Sequence, residues 1–240
     1  MNEEHTEYDV TKSPLTSVLY AAIAEIRIGE YSAALSKLLW FHHHSHDSSE
    51  FYGIRLSVAL LHWKALAEVY PLARKALVDT RNSTTSRFLD AEFPFELFHD
   101  IYAINKLLGE SEQTVKLFLL VRSKDPSSAQ QIYHLVERLL IEARMTAVCM
   151  EFLHPERRMS MVTSGVSLLR PLDPPDGGDG LPTSKFWLIS EVAQVVTILA
   201  LNGNHDHAQQ IVEESLAIMD NEIMRNAMKA ALNGVLLELE

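Results

Sequence analysis

Four histidines crowd one stretch of the sequence, His42, His43, His44 and His46, with Asp47 and Glu50 close behind. His42 and His46 lie four apart, the spacing at which two imidazoles share a helix face and can hold one metal ion. A catalytic zinc also needs a base beside it, and no HExxH arrangement supplies one. The tract therefore reads as the solvated end of a helix, and no metal ligand is assigned. Asp173, Asp176 and Asp179 lack the alternate-position ligands and the closing glutamate of a calcium loop. They read as a flexible acidic tether.

Nucleophilic chemistry finds no better footing. Cys149 is the one cysteine, and in RMTAVCMEFL it falls on an apolar helix face, as a small core residue with no base at hand. The run Thr163-Ser164-Gly165-Val166-Ser167 does not form a Gly-x-Ser-x-Gly elbow. Neither of the glycine-rich phosphate loops, G-x-G-x-x-G or G-x-x-x-x-G-K-[ST], occurs. No catalytic residue and no cofactor is expected.

Charge narrows the partners. The net charge of −11 is concentrated at the ends, with 3 basic and 8 acidic residues in 1–54 and 4 basic and 11 acidic in 159–240. Such a chain repels phosphate backbones and has no basic cluster with interleaved aromatics, which excludes nucleic acid as the expected ligand. A basic protein would suit the acidic ends. Apolar runs such as Val58 to Leu61 are far shorter than the roughly 20 residues of a membrane span, so no membrane segment is expected. The acidic start, MNEEHTEYDVTKSP, is unlike a secretory signal, and a single cysteine suits a reducing compartment. The expected location is cytoplasmic.

The elements that must position any site are helices. Apolar residues recur at helical spacing, as in Ile101, Ile104, Leu107, Leu108 and then Val115, Phe118, Leu119, and strict alternation is sustained nowhere. Pro14, Pro71, Pro94, Pro126 and Pro155 each precede such a stretch, where a proline is tolerated because the first-turn amides lack partners anyway. Helices are predicted near 14–28, 31–43, 52–68, 71–81, 94–108, 111–123, 126–142, 145–154, 184–201, 205–219 and 221–237, with short turns at 84–92 and 156–165. The other four prolines share PLDPPDGGDGLPTS with three glycines, the one clear linker. The organisation expected is helical repeats over 1–170, a linker over 171–183, and a C-terminal hairpin with a capping helix over 184–240.

A local pattern repeats: a helix end, a tight turn, and a small residue five positions later. It appears as IGEYSAAL, LGESEQTV and NGNHDHAQ, with Gly29, Gly109 and Gly203 followed by Ala34, Thr114 and Ala208. Two copies lack the glycine, Glu68 with Ala73 and Glu142 with Ala147. Glycine closes one helix in the left-handed conformation, and the small residue lets the next helix approach. Together with Tyr102, Gly109 and the closing Asp125-Pro126, this resembles the tetratricopeptide repeat family. WFHH, GIRLSVALLHW and FHDIYAINKLLGE are also similar to an uncharacterised bacterial group of helical-repeat proteins. The early small residue of the first helix is Ala22 in one unit but Leu61, Tyr102, Leu135 and Val196 in the others, a departure from the family pattern. GNHD at Gly203 to Asp206 matches a metal-binding signature of calcineurin-like phosphoesterases. Its companion Asp-x-His and Gly-Asp-x-x-Asp segments are missing, so here the letters spell a hairpin turn.

The resemblance implies an all-α fold of stacked antiparallel helical hairpins, a TPR-like α-solenoid, whose first helices line a concave groove. Groove positions fall on Tyr20, Arg27, Arg55, His62, His99, Asp100, Lys106, Tyr133, Gln194 and Thr197. A polar and aromatic lining suits a peptide or a protein loop. The function expected is a non-catalytic scaffold or adaptor, of the order of a bacterial regulator, chaperone or immunity protein. The alternative is a small-ligand or metal-binding enzyme or sensor built on Arg55, His62, His99 and Asp100. Asp100 paired with a cation and a histidine satisfied in the core would instead make this cluster structural.

Overall fold

The computed structural model describes residues 13–169 and 183–237. Its elements are α1 (Pro14–Ile28), α2 (Tyr31–His44), α3 (Ser49–Ile54), a π-helical turn (Arg55–Ala59), α4 (Leu60–Val69), α5 (Pro71–Asp90), α6 (Phe95–Leu108) and α7 (Ser111–Lys124). They continue with α8 (Pro126–Glu142), α9 (Thr146–Cys149), α10 (Pro155–Leu169), α11 (Thr183–Leu201), α12 (His205–Ile218) and α13 (Glu222–Leu232). The fold is all-helical, with no strand among the described residues.

Local chemistry explains most boundaries. Ser13 caps α1 by accepting from the Leu15 amide at 3.2 Å, ahead of Pro14, and Asn221 caps α13 by accepting from the Met224 amide at 2.8 Å. Gly29, Gly109 and Gly203 take φ of 85°, 73° and 79°, and the residue after each donates back into the last helical turn, as in Glu110 N to Asn105 O at 2.8 Å. Ala34, Thr114 and Ala208, five residues on, are fully buried. The fourth copy keeps this geometry in a different register from the one expected. Arg144, not Glu142, adopts the left-handed conformation at φ 60°, and Met145 N donates to Leu140 O at 2.8 Å. The buried small residue five on is then Cys149, while Ala147 is exposed.

Four lengths differ from expectation. The 71–81 helix and the 84–92 turn are one helix, α5, because Ala73, Leu77, Thr84 and Phe88 form a continuous buried stripe that overrides the poor propensity of Asn82-Ser83-Thr84-Thr85-Ser86. Thr85 and Ser86 bond back to carbonyls four residues earlier, which keeps their hydroxyls paired inside the helix. The 145–154 helix shrinks to α9, and the 156–165 turn grows into α10. α13 stops at Leu232, where Gly234 turns the chain at φ 74°.

The chain divides into two compact units, the first through Ile132 and the second from Tyr133, with the division inside α8. The expected linker, 171–183, lies outside the described residues apart from Thr183 at the start of α11. In the first unit α1 packs on α2, α4 on α5 and α6 on α7, while α2 meets α4, and α4 and α5 both meet α6. Leu38, Phe41, Phe51, Trp63, Leu66, Leu77 and Ile104 fill its core. The Trp63 indole N–H donates to the Ala73 carbonyl at 3.0 Å and ties α4 to α5. In the second unit α11 is the hub, packed by α9, α10, α12 and α13. That central position accounts for its composition: Ser184–Leu201 is long and apolar enough to cross a membrane, yet 61% of it is buried inside the protein. Ser190, Glu191 and Gln194 interrupt its apolar runs, which is why no membrane-length segment is expected from uninterrupted runs alone.

Candidate functional site

The first unit buries a charge cluster on three elements. The π-helical turn widens the helix at Arg55, and such turns concentrate at functional sites. Arg55 is fully buried, and its Nη1 donates to Asp100 Oδ2 of α6 at 2.6 Å. Its guanidinium also lies 5.4 Å from the centre of the Tyr52 ring. The Tyr52 hydroxyl and His99 Nδ1 are 2.7 Å apart, and burial, with the Asp100 charge behind it, pushes the Tyr52 hydroxyl up to about 12. Sequence expectation placed Arg55, His99 and Asp100 side by side, and the fold does bring them together. It places Arg55 in the interior rather than on an open groove wall, because Asp100 supplies the counter-charge that makes burial of a guanidinium possible. His62, the fourth member, is half-buried on α4.

Above this pair opens a cleft of about 750 Å³ between the C-terminal end of α2 and the middle of α5. Asp100 and His42 line it, with Thr84 beside them and His43, His46, Asp47, Asp79, Ser83 and Arg87 among the other lining residues. His42 is only 9% exposed, its ring edge-on to Trp63 at 5.8 Å, so it does not belong to a solvated helix end. Burial is the main reason that its pKa falls to about 4, with the Asp100 charge opposing and Arg55 assisting. It is neutral at pH 7. Three buried groups here are incompletely paired: His42 Nδ1, Asp100 Oδ1, and Nε and Nη2 of Arg55 have no protein partner. The sequence signal for His42 was its register, four residues after Leu38 and eight after Ala34 on the buried stripe of α2. The other three histidines line the same cleft but take different partners. His44 stacks on Trp40 at 4.1 Å, and His46 donates to Asp47 at 2.7 Å. Among the described residues no three His, Cys, Asp or Glu side chains converge as a metal site.

The remaining groove residues occupy varied surroundings. Tyr20, 68% exposed on α1, edges an apolar cleft of about 330 Å³ formed with Leu19, Ile23, Phe51, Ile54 and Val58. Arg27 and Lys106 are exposed in the last turns of α1 and α6. Sequence reasoning missed Arg81, which donates to Asn105 at 2.6 Å and to Glu110 at 2.8 Å, while Asn105 donates to the buried Thr114 at 3.0 Å. This network joins α5, α6 and the start of α7.

Tyr133, Gln194 and Thr197 belong to the second unit. Tyr133 and Thr197 are buried rather than groove-facing. Tyr133 stacks on Phe152 at 5.0 Å and donates to the Cys149 carbonyl at 3.4 Å, and Thr197 lies fully buried in α11. Gln194 donates to the Ser190 carbonyl at 3.2 Å. Nearby, Arg158 bridges two carboxylates, Glu137 at 2.6 Å and Glu191 at 2.5 Å, and so clamps α8, α10 and α11. Burial raises the Glu137 pKa against the pull of Arg158. It also pushes the Cys149 thiol up to about 12, which leaves a protonated core thiol. No family model matches the chain, and no curated protein or solved structure is significantly similar to it.

Proposed function

We propose that this protein is a non-catalytic binding scaffold, a TPR-like stack of antiparallel helical hairpins that takes a peptide or a protein loop in its first unit. The observation that carries this reading is the apolar cleft between α1 and the π-helical turn. It is lined by Leu19, Ile23, Phe51, Ile54 and Val58, with Tyr20 68% and Val58 43% exposed at its edge. An apolar concavity with an amphipathic aromatic at the rim is the usual form of an anchor pocket for a partner's side chain. The pairing of α1 with α2, α4 with α5 and α6 with α7 supports the repeat reading, as does the shared turn geometry at Gly29 and Gly109.

The fully buried Arg55 is unsuited to touching a partner directly. Its part is to hold the π-helical turn, and with it Ile54 and Val58, against α6. The test is comparative affinity capture with the full chain, with Val58→Asp, and with a Glu213→Ala, Glu214→Ala double variant on the acidic α12. The expected outcome is a partner retained by the parent and the α12 variant and weakened at least tenfold, about 1.4 kcal/mol, by Val58→Asp at unchanged helicity. The reverse ranking would move the interface to the acidic C-terminal helices.

A further inference from the structure

We propose that the apolar cleft of the first unit receives Tyr20 of a second copy of this chain, so that two copies pair about a two-fold axis through α1 and the continuous helix from α3 through the π-helical turn to α4. This pairing rests on the scaffold reading of that cleft and gives it an occupant. Along α1 the exposed positions Ser17, Tyr20, Ala24 and Ile28 follow one another at intervals of three and four, and so do Val58, Leu61 and Ala65 on the neighbouring helix. Both stripes face solvent. Ile28 is 74% and Leu61 62% exposed, and Arg27 is the only charged residue among the exposed positions of α1. An ordinary solvent face carries more charge, as on α12, where Asp206, Glu213 and Glu214 are all exposed. Exposed apolar surface that is continuous and poor in charge marks a protein interface.

Shape, charge and size make the occupant a copy. Tyr20 stands exposed at the rim of the pocket formed by Leu19, Ile23, Phe51, Ile54 and Val58, so knob and hole are neighbours on one patch. A two-fold axis turns such a patch onto itself, and each knob enters the other copy's hole. The chain carries a net charge of −11, and two copies repel wherever their acidic surfaces meet. No charged residue lines this cleft, so here two copies meet without opposing like charges, and a basic foreign partner finds no carboxylate to select it. At about 1.5 Å per residue the 15 residues of α1 are roughly 22 Å long, and two helices of about 10 Å diameter make a face roughly 20 Å wide. That is a flat footprint of roughly 450 Å² per copy, close to the total of about 1,000 Å² that a specific interface requires even before interdigitating side chains add relief. An interface of this size suits a weak, reversible dimer.

The experiment follows the full chain by sedimentation velocity over a concentration series reaching roughly 500 µM, at low and at high sodium chloride. The expected result is a reversible monomer–dimer equilibrium with a Kd between roughly 1 and 100 µM. Added salt should strengthen it, because salt screens the repulsion between two acidic chains and leaves an apolar contact intact. Tyr20→Asp and Leu61→Asp, both at exposed positions, should each weaken the dimer at least tenfold without lowering the melting temperature. A short bismaleimide should cross-link two copies of Tyr20→Cys and not of Asn82→Cys on α5, since the buried Cys149 takes no part. A monomer throughout the series would overturn the pairing, and if Val58→Asp still releases a captured partner, the scaffold reading stands without it. A dimer that salt dissociates, that both aspartate variants leave unchanged, or that cross-links through Asn82→Cys instead would also overturn it. A dimer lost in Tyr20→Asp, beside a captured partner that survives Val58→Asp, would support the pairing and leave the cleft to the copy alone.

Discussion

Asp100→Ala is the most informative single substitution in the first unit. It leaves the Arg55 guanidinium, fully buried with Nε and Nη2 already lacking protein partners, without the carboxylate 2.6 Å from its Nη1. Removing one member of a buried pair costs about 3–5 kcal/mol, because the survivor is an uncompensated charge out of water. Against a total stability of roughly 5–15 kcal/mol, that is a large share. With a urea slope of about 2 kcal/mol/M, the midpoint should fall by about 2 M. The assay is urea denaturation followed by circular dichroism and by tryptophan fluorescence, since Trp63 is buried in the same unit and touches His42. The double variant Arg55→Met, Asp100→Leu should recover most of the loss, because apolar residues of similar volume need no counter-charge. A cost below about 1 kcal/mol for Asp100→Ala, the range of an exposed ion pair, would refute the argument. So would a double variant as unstable as the sum of its parts, which would mean that shape and not charge dominates.

Three other outcomes can be checked with the same protein. His42 has a folded pKa of about 4 against 6.5 for the free side chain, so between these values the unfolded state binds more protons. Its contribution is complete above pH 6.5 and is lost as the pH falls towards 4, on the order of 3 kcal/mol, and His42→Leu should flatten that part of the stability curve. Cys149, buried and held protonated, should resist iodoacetamide at pH 8 in the native protein and react only as the second unit unfolds under denaturant. Gly109→Ala, at φ 73° with open space around its added methyl, should cost about 1–2 kcal/mol through backbone strain alone, seen as a lower urea midpoint with unchanged helicity.

Helix type, the proline starts and the glycine stops were legible in the sequence because each depends on a few neighbouring residues. Gly29 and Gly109 supply a backbone conformation that other residues adopt at a cost, and Pro14 and Pro126 lack an amide that a first turn does not use. Arg55 and Asp100, expected on one groove wall, do meet, at 2.6 Å. What the sequence could not fix was which side of the surface each residue would occupy. Arg55 and Asp100 are charged, and composition alone assigns them to water. Only the meeting of the π-helical turn with α6 makes a buried pair possible, and the partners are 45 residues apart. Likewise His42 is one of four histidines in the sequence tract, and it becomes a buried, neutral cleft residue because α4 sets Trp63 against it. Length followed the same division. The Asn- and Ser-rich middle of α5 has no strong helical preference of its own, and burial of Thr84 and Phe88 extends the helix through it. Backbone punctuation is a property of short segments, whereas burial and pairing are decided by surfaces that come together only in the folded chain.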